Sequence, residues 1–477
     1  MKLIYNVYKP GVLLALLALL VLSSCKDDLP EAMDTSSKLT VLKSIKIVNA
    51  GADGNTIVEG TIDEDKKTIS FPRIDPASNL AALKFEAVTA DGASLEKDVY
   101  DLALGEGASE KTLTLKVVNA PRTREYFATV RLRVPVYGGD FTKVKIYDYS
   151  NNDLGNPIYA PIAAGGVRGT GFNGEHVLIV DRTNNSPHLL KVSDLKNNVA
   201  TPIYLNNTGI SGGTFTLHSG AMVKGHTYAA NLSGGQVSPL KIYHWTDPAT
   251  PPDVIANLNI AAIPGAGVRH GDNMSVNLDD NGNGNIFFGD NAGTKILRLS
   301  VTNYTQVGDP TVIAAPVSGA GAWISYNRVG SSDEYIYTGH DAPIYVLNAS
   351  GSNAYNMART SIPVRGSDAR VFSFNGERYL LMVTAARSGA DPTVLYVYNI
   401  TKGSTVADAI RIFETETDKK PVYEYSLLGA ANGNPTTQTG FYIKKDNEGK
   451  DESLLLYGSS FAAGFVLIEV PKKALED

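Results

Sequence analysis

A short pattern of two apolar strands joined by a polar turn recurs along the last two thirds of the chain. Its clearest copy is Val268–Val301, where turns rich in Asn, Asp and Gly separate three strand-like segments. Successive copies lie about 50 residues apart, which is the period of a four-stranded propeller blade. The six strand pairs are predicted at His176–Val180 with His188–Val192, His226–Ala230 with Leu240–Trp245, Asn285–Gly289 with Lys295–Leu299, Tyr335–Gly339 with Ile344–Asn348, Tyr379–Thr384 with Val394–Ile400, and Leu454–Gly458 with Phe465–Val470.

These repeats predict an all-β fold in which residues 140–477 form a six-bladed β-propeller. A closed ring of blades leaves no long sheet edge exposed. The last copy ends at Pro471 without an outer strand, and Pro157–Ile162 is one segment that could supply it. Lys143–Tyr149 also resembles an internal strand such as Leu189–Leu195. If it pairs too, either the closing blade is shared more evenly between the two ends of the repeat region or a seventh, composite blade exists. A β-solenoid does not fit, because its turns repeat every 20 to 30 residues or so.

Residues 38–136 show a different pattern, which predicts a separate small β-sandwich of the immunoglobulin type. The chain of 477 residues is longer than one hydrophobic core usually supports. About seven short apolar runs, each bounded by turn residues, occur within this stretch, as is typical of an immunoglobulin-like sandwich. Phe71, Tyr100 and Tyr126 lie inside these runs, so we expect them to be core residues. A spacer role is predicted for this sandwich, with a carbohydrate-binding module as the alternative.

The first residues indicate export and lipid anchoring. A basic start precedes the apolar run Val12–Leu22, which is too short for a permanent membrane span and fits a signal peptide over residues 1–24. Leu22-Ser23-Ser24-Cys25 resembles a bacterial lipobox, and this resemblance implies that Cys25 is lipidated. Lys26-Asp27-Asp28 resembles the export tag of Bacteroidetes surface lipoproteins. Residues 25–37 would then be the tether. The expected location is the outer membrane, with the protein exposed at the cell surface.

Composition excludes several classes of protein. The net charge of −6 offers no basic footprint for nucleic acid. The only cysteine is Cys25, so neither an intrachain disulfide nor a cysteine-based metal cluster can form. A hydrophobic content of 43% with 19% charged residues is that of a folded protein. By its lipobox-like start, its sandwich-like pattern and its repeats, the whole chain resembles uncharacterised Bacteroidetes outer-membrane lipoproteins in which an Ig-like domain precedes a propeller.

The loops that lead into the innermost strand of each blade are the predicted binding site, because they surround the mouth of the central channel. Three of the six contain Val-Arg, which places Arg168, Arg269 and Arg365 around one axis. A guanidinium presents a planar fork suited to carboxylates, phosphates and sulfates. Trp323 could add a stacking surface for a ring. His218 and His270 are expected in the pocket wall, and the alternative is that the arginines only bond neighbouring blades.

The turn Asp279–Asn285 resembles the first half of a calcium loop. Its candidate ligands are Asp279, Asn281 and Asn283, with Asp290 as the closing acid. Asn-Gly is, however, the ordinary signal of a tight hairpin, and we expect a plain turn and no cofactor. The histidines lack the spacing of a metal-binding motif.

The function expected from these features is non-catalytic binding of a glycan or another small ligand at the channel mouth. Two alternatives remain. The first is a propeller enzyme, either a glycoside hydrolase or a lyase, that acts on acidic carbohydrate. The second is a scaffold for outer-membrane protein partners. Arginines on separate blades resemble the carboxylate clamp of sialidases, but the S-x-D-x-G-x-T-W turns of those enzymes are absent from the sequence. Asp272 and Asp368 are the only acids in the loops compared.

Overall fold

The structure is a computed structural model that describes residues 37–474, except for 106–107, 135, 151–158, 164, 185, 235–237, 363–365 and 390. The predicted signal peptide, Cys25, almost all of the tether and Arg365 lie outside these residues. Close contacts divide the chain into a first unit within Met1–Pro135 and a second unit, Val136–Ala474. No helix in the described ranges has the length and hydrophobicity that a membrane span requires.

The first unit contains two sheets that enclose one apolar core. Four strands form one sheet and five form the other, and the pairs are antiparallel except for Thr68–Ser70, which runs parallel to Arg122–Arg131. Phe71 and Tyr126 are buried in this core, as predicted. The strands are Leu42–Ala50, Thr56–Glu59, Thr61–Asp63, Thr68–Ser70, Leu83–Thr89, Ser94–Leu95, Val99–Tyr100, Glu110–Asn119 and Arg122–Arg131. Short 3-10 helices lie at Ser37–Thr40 and Leu80–Ala82.

The second unit contains six antiparallel sheets in the described ranges. The strand named first for each sheet below is called its first strand, and the sheets are numbered by the chain order of these six strands. Sheet 1 has strands Val167–Phe172, His176–Asp181, His188–Lys191 and Ile203–Tyr204, and sheet 2 has Phe215–Val223, His226–Leu232, Leu240–Trp245 and Asp253–Leu258. Sheet 3 has Ser275–Leu278, Gly284–Gly289, Lys295–Thr302, Gln306–Val307 and Thr311–Ala314, and sheet 4 has Ile324–Arg328, Tyr335–Gly339, Ala342–Leu347 and Asn353–Asn356. Sheet 5 has Gly366–Phe374, Glu377–Thr384, Val394–Asn399 and Tyr423–Ser426, and sheet 6 has Thr437–Lys445, Asp451–Ser460, Gly464–Pro471 and Lys145–Ser150. Helices lie at Ala160–Ala163, Val192–Leu195 and Val406–Thr415, with a 3-10 helix at Ile260–Ala262.

The first strands of the six sheets contact one another in a closed circuit. Each lies against the first strand of the next sheet, and that of sheet 6 contacts that of sheet 1. Sheet 6 combines both ends of the unit, because Lys145–Ser150 pairs with Gly464–Pro471. Of the two segments considered from the sequence, the Lys143–Tyr149 region therefore supplies the missing strand. Ala160–Ala163 is a helical turn instead of a strand, and residues 157–158 lie outside the description. Pro161 suits this position, because proline is tolerated in the first turn of a helix.

Burial in the middle strands explains why the repeat is visible in the sequence. Tyr335–Gly339 is buried at every position and His176–Asp181 at all but its first. Each sheet face is covered by an adjacent sheet, so these strands are apolar throughout. A strand with one solvent-exposed face would instead alternate apolar and polar residues. Phe287 of sheet 3 and Tyr326 of sheet 4, for example, stack across such an interface with ring centroids 4.2 Å apart.

Candidate functional site

Side chains from sheets 1 to 4 meet where the chain leads into the first strands. We call this group the arginine cluster: Arg168, Arg182, His218, Arg269, Asp272 and Trp323. Four of its members, Arg168, His218, Arg269 and Trp323, were predicted from the sequence to share a site. The ring of His218 stacks on that of Trp323 at 5.5 Å between centroids. The guanidinium of Arg168 lies 5.7 Å from the same tryptophan ring.

Arg168 is held deep in the cluster by close backbone packing. Its neighbour Gly169 lies against sheet 2, where a Cβ atom would come within 2.6 Å of the Gly220 nitrogen. Only glycine allows the two strands to approach so closely. The Arg168 guanidinium covers the ring of Phe461 at 3.7 Å and donates a hydrogen bond from Nη1 to the Asn434 carbonyl. Its buried Nε has no hydrogen-bond partner among the described residues.

Arg182 also belongs to the cluster, although the sequence comparison missed it. It follows the second strand of sheet 1, and its guanidinium lies over the ring of Phe215 at 4.3 Å. Burial lowers the pKa of Arg168 to about 10, and the positive charge of Arg182 adds to this effect. Only the loops before the first strands were compared, so a residue at the end of a second strand gave no signal. Second strands end on the same side of a sheet as first strands begin, because the two are antiparallel.

Asp272 is the one carboxylate of the cluster, and it pairs with Arg269. The shortest distance is 2.9 Å, between Asp272 Oδ2 and Arg269 Nη2. Burial raises the pKa of Asp272, while the charges of Arg269, Arg168 and Arg182 act in the opposite direction. Three guanidinium groups thus face a single carboxylate. The cluster carries a formal charge of +2 when His218 is neutral, an arrangement that favours binding of an added anion.

Burial and the neighbouring positive charges favour the neutral form of His218. Its side chain is 1% exposed, and neither ring nitrogen has a hydrogen-bond partner among the described residues. Burial moves its pKa well below the usual value, and the charges of Arg182, Arg168 and Arg269 lower it further. A neutral imidazole has one N–H donor and one acceptor nitrogen. His218 therefore offers both kinds of hydrogen bond to a ligand that reaches it.

Of the other two predicted site residues, His270 does not join the cluster. His270 is fully buried and its Nδ1 lies 3.1 Å from the Gly289 carbonyl, within the loop structure of sheet 3. Its backbone N–H also bonds Ser233 Oγ of sheet 2, at 2.8 Å. It therefore contributes to packing between sheets 2 and 3. Arg365 lies in residues 363–365, which are outside the description.

The four candidate calcium ligands do not form one set. Asp279, Asn281 and Asn283 precede the strand Gly284–Gly289, and Asp290 follows it. A strand of that length spans roughly 20 Å, far more than one ion can bridge. Asp279 Oδ1 accepts hydrogen bonds from the backbone N–H groups of Asn281 and Asn283, both at 2.9 Å. The Asp279 carboxylate thus stabilises the hairpin turn between the strands Ser275–Leu278 and Gly284–Gly289.

A cavity of about 670 Å³ occupies the other end of the first strands. All six sheets contribute lining residues, and sheets 1 to 4 also contribute residues of the turns that follow their first strands. Amide side chains in its wall join adjacent sheets: Asn277 donates to the Tyr326 carbonyl at 2.7 Å, and Asn327 to the Ala369 carbonyl at 2.9 Å. Asp368, one of the two acids noted in the sequence, accepts from Thr439 N at 2.6 Å. It therefore has a structural role between sheets 5 and 6.

Comparisons with known proteins identify a family. The model of a domain of unknown function, DUF4623, matches residues 27–473. A crystal structure of a DUF4623 family protein from Bacteroides eggerthii is 44% identical in sequence, covers 92% of this chain and 99% of that one, and superposes with a TM-score of 0.75. Regucalcin, a calcium-binding protein from Agrobacterium tumefaciens, is 12% identical over 65% of this chain and 92% of its own, with a TM-score of 0.37. No curated protein matches the sequence.

Proposed function

The chain belongs to the DUF4623 family, and from this premise we propose that it is a lipid-anchored surface protein whose second unit binds an anionic ligand without chemical conversion. The observation that carries the proposal is the surplus charge of the arginine cluster. Guanidinium groups bind the oxygens of carboxylate and phosphate groups through paired hydrogen bonds. The ligand class is a carboxylate, sulfate or phosphate group, such as those of acidic glycans.

The architecture proposed for this function is a six-bladed propeller carried by an Ig-like spacer. The closed circuit of first strands in the second unit supports the propeller. Closure by Lys145–Ser150 within sheet 6 supports six blades, because this strand completes a sheet of four. Two sheets around one core support the sandwich in the first unit.

The number and the bonding of the carboxylates favour binding over hydrolysis. Most glycoside hydrolases use two carboxyl groups, one as acid and one as base or nucleophile. Asp272 is the one carboxylate in the cluster as described, and its pairing with Arg269 occupies it. The other acid noted in these loops, Asp368, is bonded to sheets 4 and 6.

Anion binding can be tested by calorimetry with sulfate, phosphate and galacturonate. Arg182→Ala removes a partly exposed guanidinium that makes no side-chain hydrogen bond among the described residues. Affinity should fall about tenfold or more, since hydrogen bonds to charged groups contribute about 1.5–3 kcal/mol. The matched control is Arg411→Ala, which removes an exposed arginine paired with Asp408 on the helix Val406–Thr415.

A spectroscopic readout supports the same test. The chain has two tryptophans, Trp245 and Trp323, so Trp245→Phe leaves Trp323 as the only one. Anion binding near Arg168 should change the fluorescence emission of Trp323. The proposal is overturned if none of the three anions binds, or if Arg182→Ala and Arg411→Ala leave affinity equally unchanged.

The proposed anchor has its own test. Cys25→Ser should move the protein from the membrane fraction to the soluble fraction and abolish incorporation of labelled palmitate. Two or more acyl chains are needed for stable attachment, and each buried CH₂ contributes about 0.8 kcal/mol. Unchanged membrane association of the variant would contradict lipidation at Cys25.

A further inference from the structure

The cavity at the end of the first strands opposite the arginine cluster has the size of a ligand site. Its volume of about 670 Å³ lies within the range of about 300–1,000 Å³ that is usual for small-molecule sites. Asn173, Lys224 and Ser331 lie at the turns around it, and Thr170 and Gln438 lie deeper. The lining does not include Arg168, His218 or Trp323, so the cavity is distinct from the site proposed above.

Fixed amide groups form much of the wall. Asn273 Nδ2 donates to the Ile324 carbonyl at 2.6 Å, and Gln438 Nε2 donates to the Gly220 carbonyl at 3.2 Å. Gln438 Oε1 also accepts from the backbone N–H of Thr170. The Asn273 bond links the segment before the first strand of sheet 3 to sheet 4, and the Gln438 bonds link sheet 6 to sheets 1 and 2. They hold each amide in one orientation. A wall of oriented polar groups needs little reorganisation when a ligand binds.

Some of these groups keep hydrogen-bonding capacity. Arg370 donates from Nε to the Thr439 carbonyl at 2.9 Å, while its Nη groups have no partner among the described residues. Asn273 and Asn327 each donate from Nδ2 to a backbone carbonyl and have no recorded partner for Oδ1 in the described chain. The cavity therefore combines free donors with free acceptors.

The charges of the lining balance. Its cations are Lys224, Arg328 and Arg370, and its anions are Asp279, Asp280 and Asp368. Lys224 and Asp280 form a salt bridge of 2.8 Å at the rim. Three positive and three negative groups leave no net field that would select an anion, in contrast to the arginine cluster.

Two aromatic rings complete the wall. Phe172 of sheet 1 and Phe441 of sheet 6 both line the cavity and are partly exposed. Phe172 is backed by Tyr457 at 5.4 Å and Phe441 by Phe372 at 4.6 Å, each pair in a stacked arrangement. Rigid rings beside polar groups suit a ligand that has both C–H surfaces and hydroxyl groups.

From these features we infer that the cavity is a second binding site, for a short neutral oligosaccharide. Amide oxygens and the Arg370 guanidinium would bond its hydroxyl groups, and the phenylalanine rings would pack on its sugar faces. The inference does not depend on the anion site, because the two sets of residues do not overlap.

The test uses binding of neutral tetrasaccharides of glucose, xylose and mannose to the soluble chain without its lipid. At least one should bind, and Arg370→Met should weaken it about tenfold, because two donor groups are lost at the ligand. Arg378→Met is the matched control: Arg378 lies in the same sheet and donates to the Gly403 and Thr405 carbonyls, outside the cavity.

A second variant guards against an indirect effect of Arg370. Ser331 is exposed at the rim, so Ser331→Trp should narrow the opening without disturbing the core. It should weaken oligosaccharide binding and leave anion binding unchanged, whereas Arg182→Ala should do the reverse. The inference fails if no neutral sugar binds, if both rim and wall variants bind as the parent does, or if only Arg182→Ala reduces sugar binding.

Discussion

The two ends of the first strands in the second unit use polar side chains in opposite ways. At the cavity end, Asn277 and Asn327 are bonded to the backbone of the next sheet and so hold the sheets together. At the other end, His218 and the Nε of Arg168 are buried without hydrogen-bond partners in the described chain. Satisfied groups contribute to stability, whereas unsatisfied buried groups cost about 1–3 kcal/mol each. The contrast separates polar side chains that are bonded within the fold from buried polar groups that have no partner in the described chain.

The largest effect is expected when the close contact between sheets 1 and 2 is disturbed, because both ends of the first strands depend on it. Gly169→Val should destabilise the second unit by about 3 kcal/mol or more, because its side chain would collide with the Gly220 backbone. Urea unfolding followed by tryptophan fluorescence measures this, since both tryptophans lie in the second unit. Gly225→Ala is the control, because a Cβ there meets no atom within 4 Å. Equal stability of the two variants would show that the close approach is not required.

A smaller effect should distinguish the arginine end by its response to pH. The pKa of His218 is lowered in the folded state by burial and by the neighbouring arginines. The unfolded chain therefore binds a proton near the ordinary histidine pKa of about 6.5 that the folded chain does not bind. The stability that neutral His218 contributes is present above pH 6.5 and is lost as pH falls below it.

His218→Phe should remove this part of the pH dependence. The slope of unfolding free energy against pH below 6.5 should decrease by up to about 1.4 kcal/mol per unit. Unfolding in urea at pH 7.5, 6.5 and 5.5 gives the slopes, with His176→Phe as a comparison at a less buried histidine. Parallel curves for the parent and His218→Phe would mean that His218 titrates alike in both states.

The smallest effect is expected at the rim of the cavity, in the hairpin turn at Asp279. Asp279→Ala removes two hydrogen bonds to the backbone of an exposed turn. The melting temperature should fall by about 2 °C or less, and to the same extent with calcium or with a chelator. The exposed Asp309→Ala serves as the control. If calcium raised the melting temperature of the parent by several degrees but not that of Asp279→Ala, the result would support a calcium site at this turn.

Much of the fold could be predicted from the sequence because the middle strands are buried on both faces. Tyr335–Gly339 was predicted with the bounds that the structure has, and Leu240–Trp245 likewise. The segment that supplies the fourth strand of sheet 6 could not be chosen from the sequence, because Lys143–Tyr149 and Pro157–Ile162 both have the apolar residues of a strand. The pairing of Lys145–Ser150 with Gly464–Pro471 joins segments more than 300 residues apart, and no local pattern encodes such a contact.

The candidate site was predicted only in part, for a similar reason. Shared Val-Arg motifs pointed to Arg168 and Arg269, while Arg182 has no counterpart among the loops compared. His270 shares the loop of Arg269, but its backbone N–H and its ring are bonded in the contact between sheets 2 and 3. Proximity in sequence therefore did not mean a shared site.

The sequence alone determined that this protein is built from β-strands in repeated units, because burial and turn chemistry act over a few residues. Only the tertiary structure decided which arginines meet, which amides are already bonded and where the cavity lies. Those properties depend on side chains from several sheets converging at one end of the first strands. Convergence follows from how the sheets pack around one another, and it leaves no periodic trace in the chain.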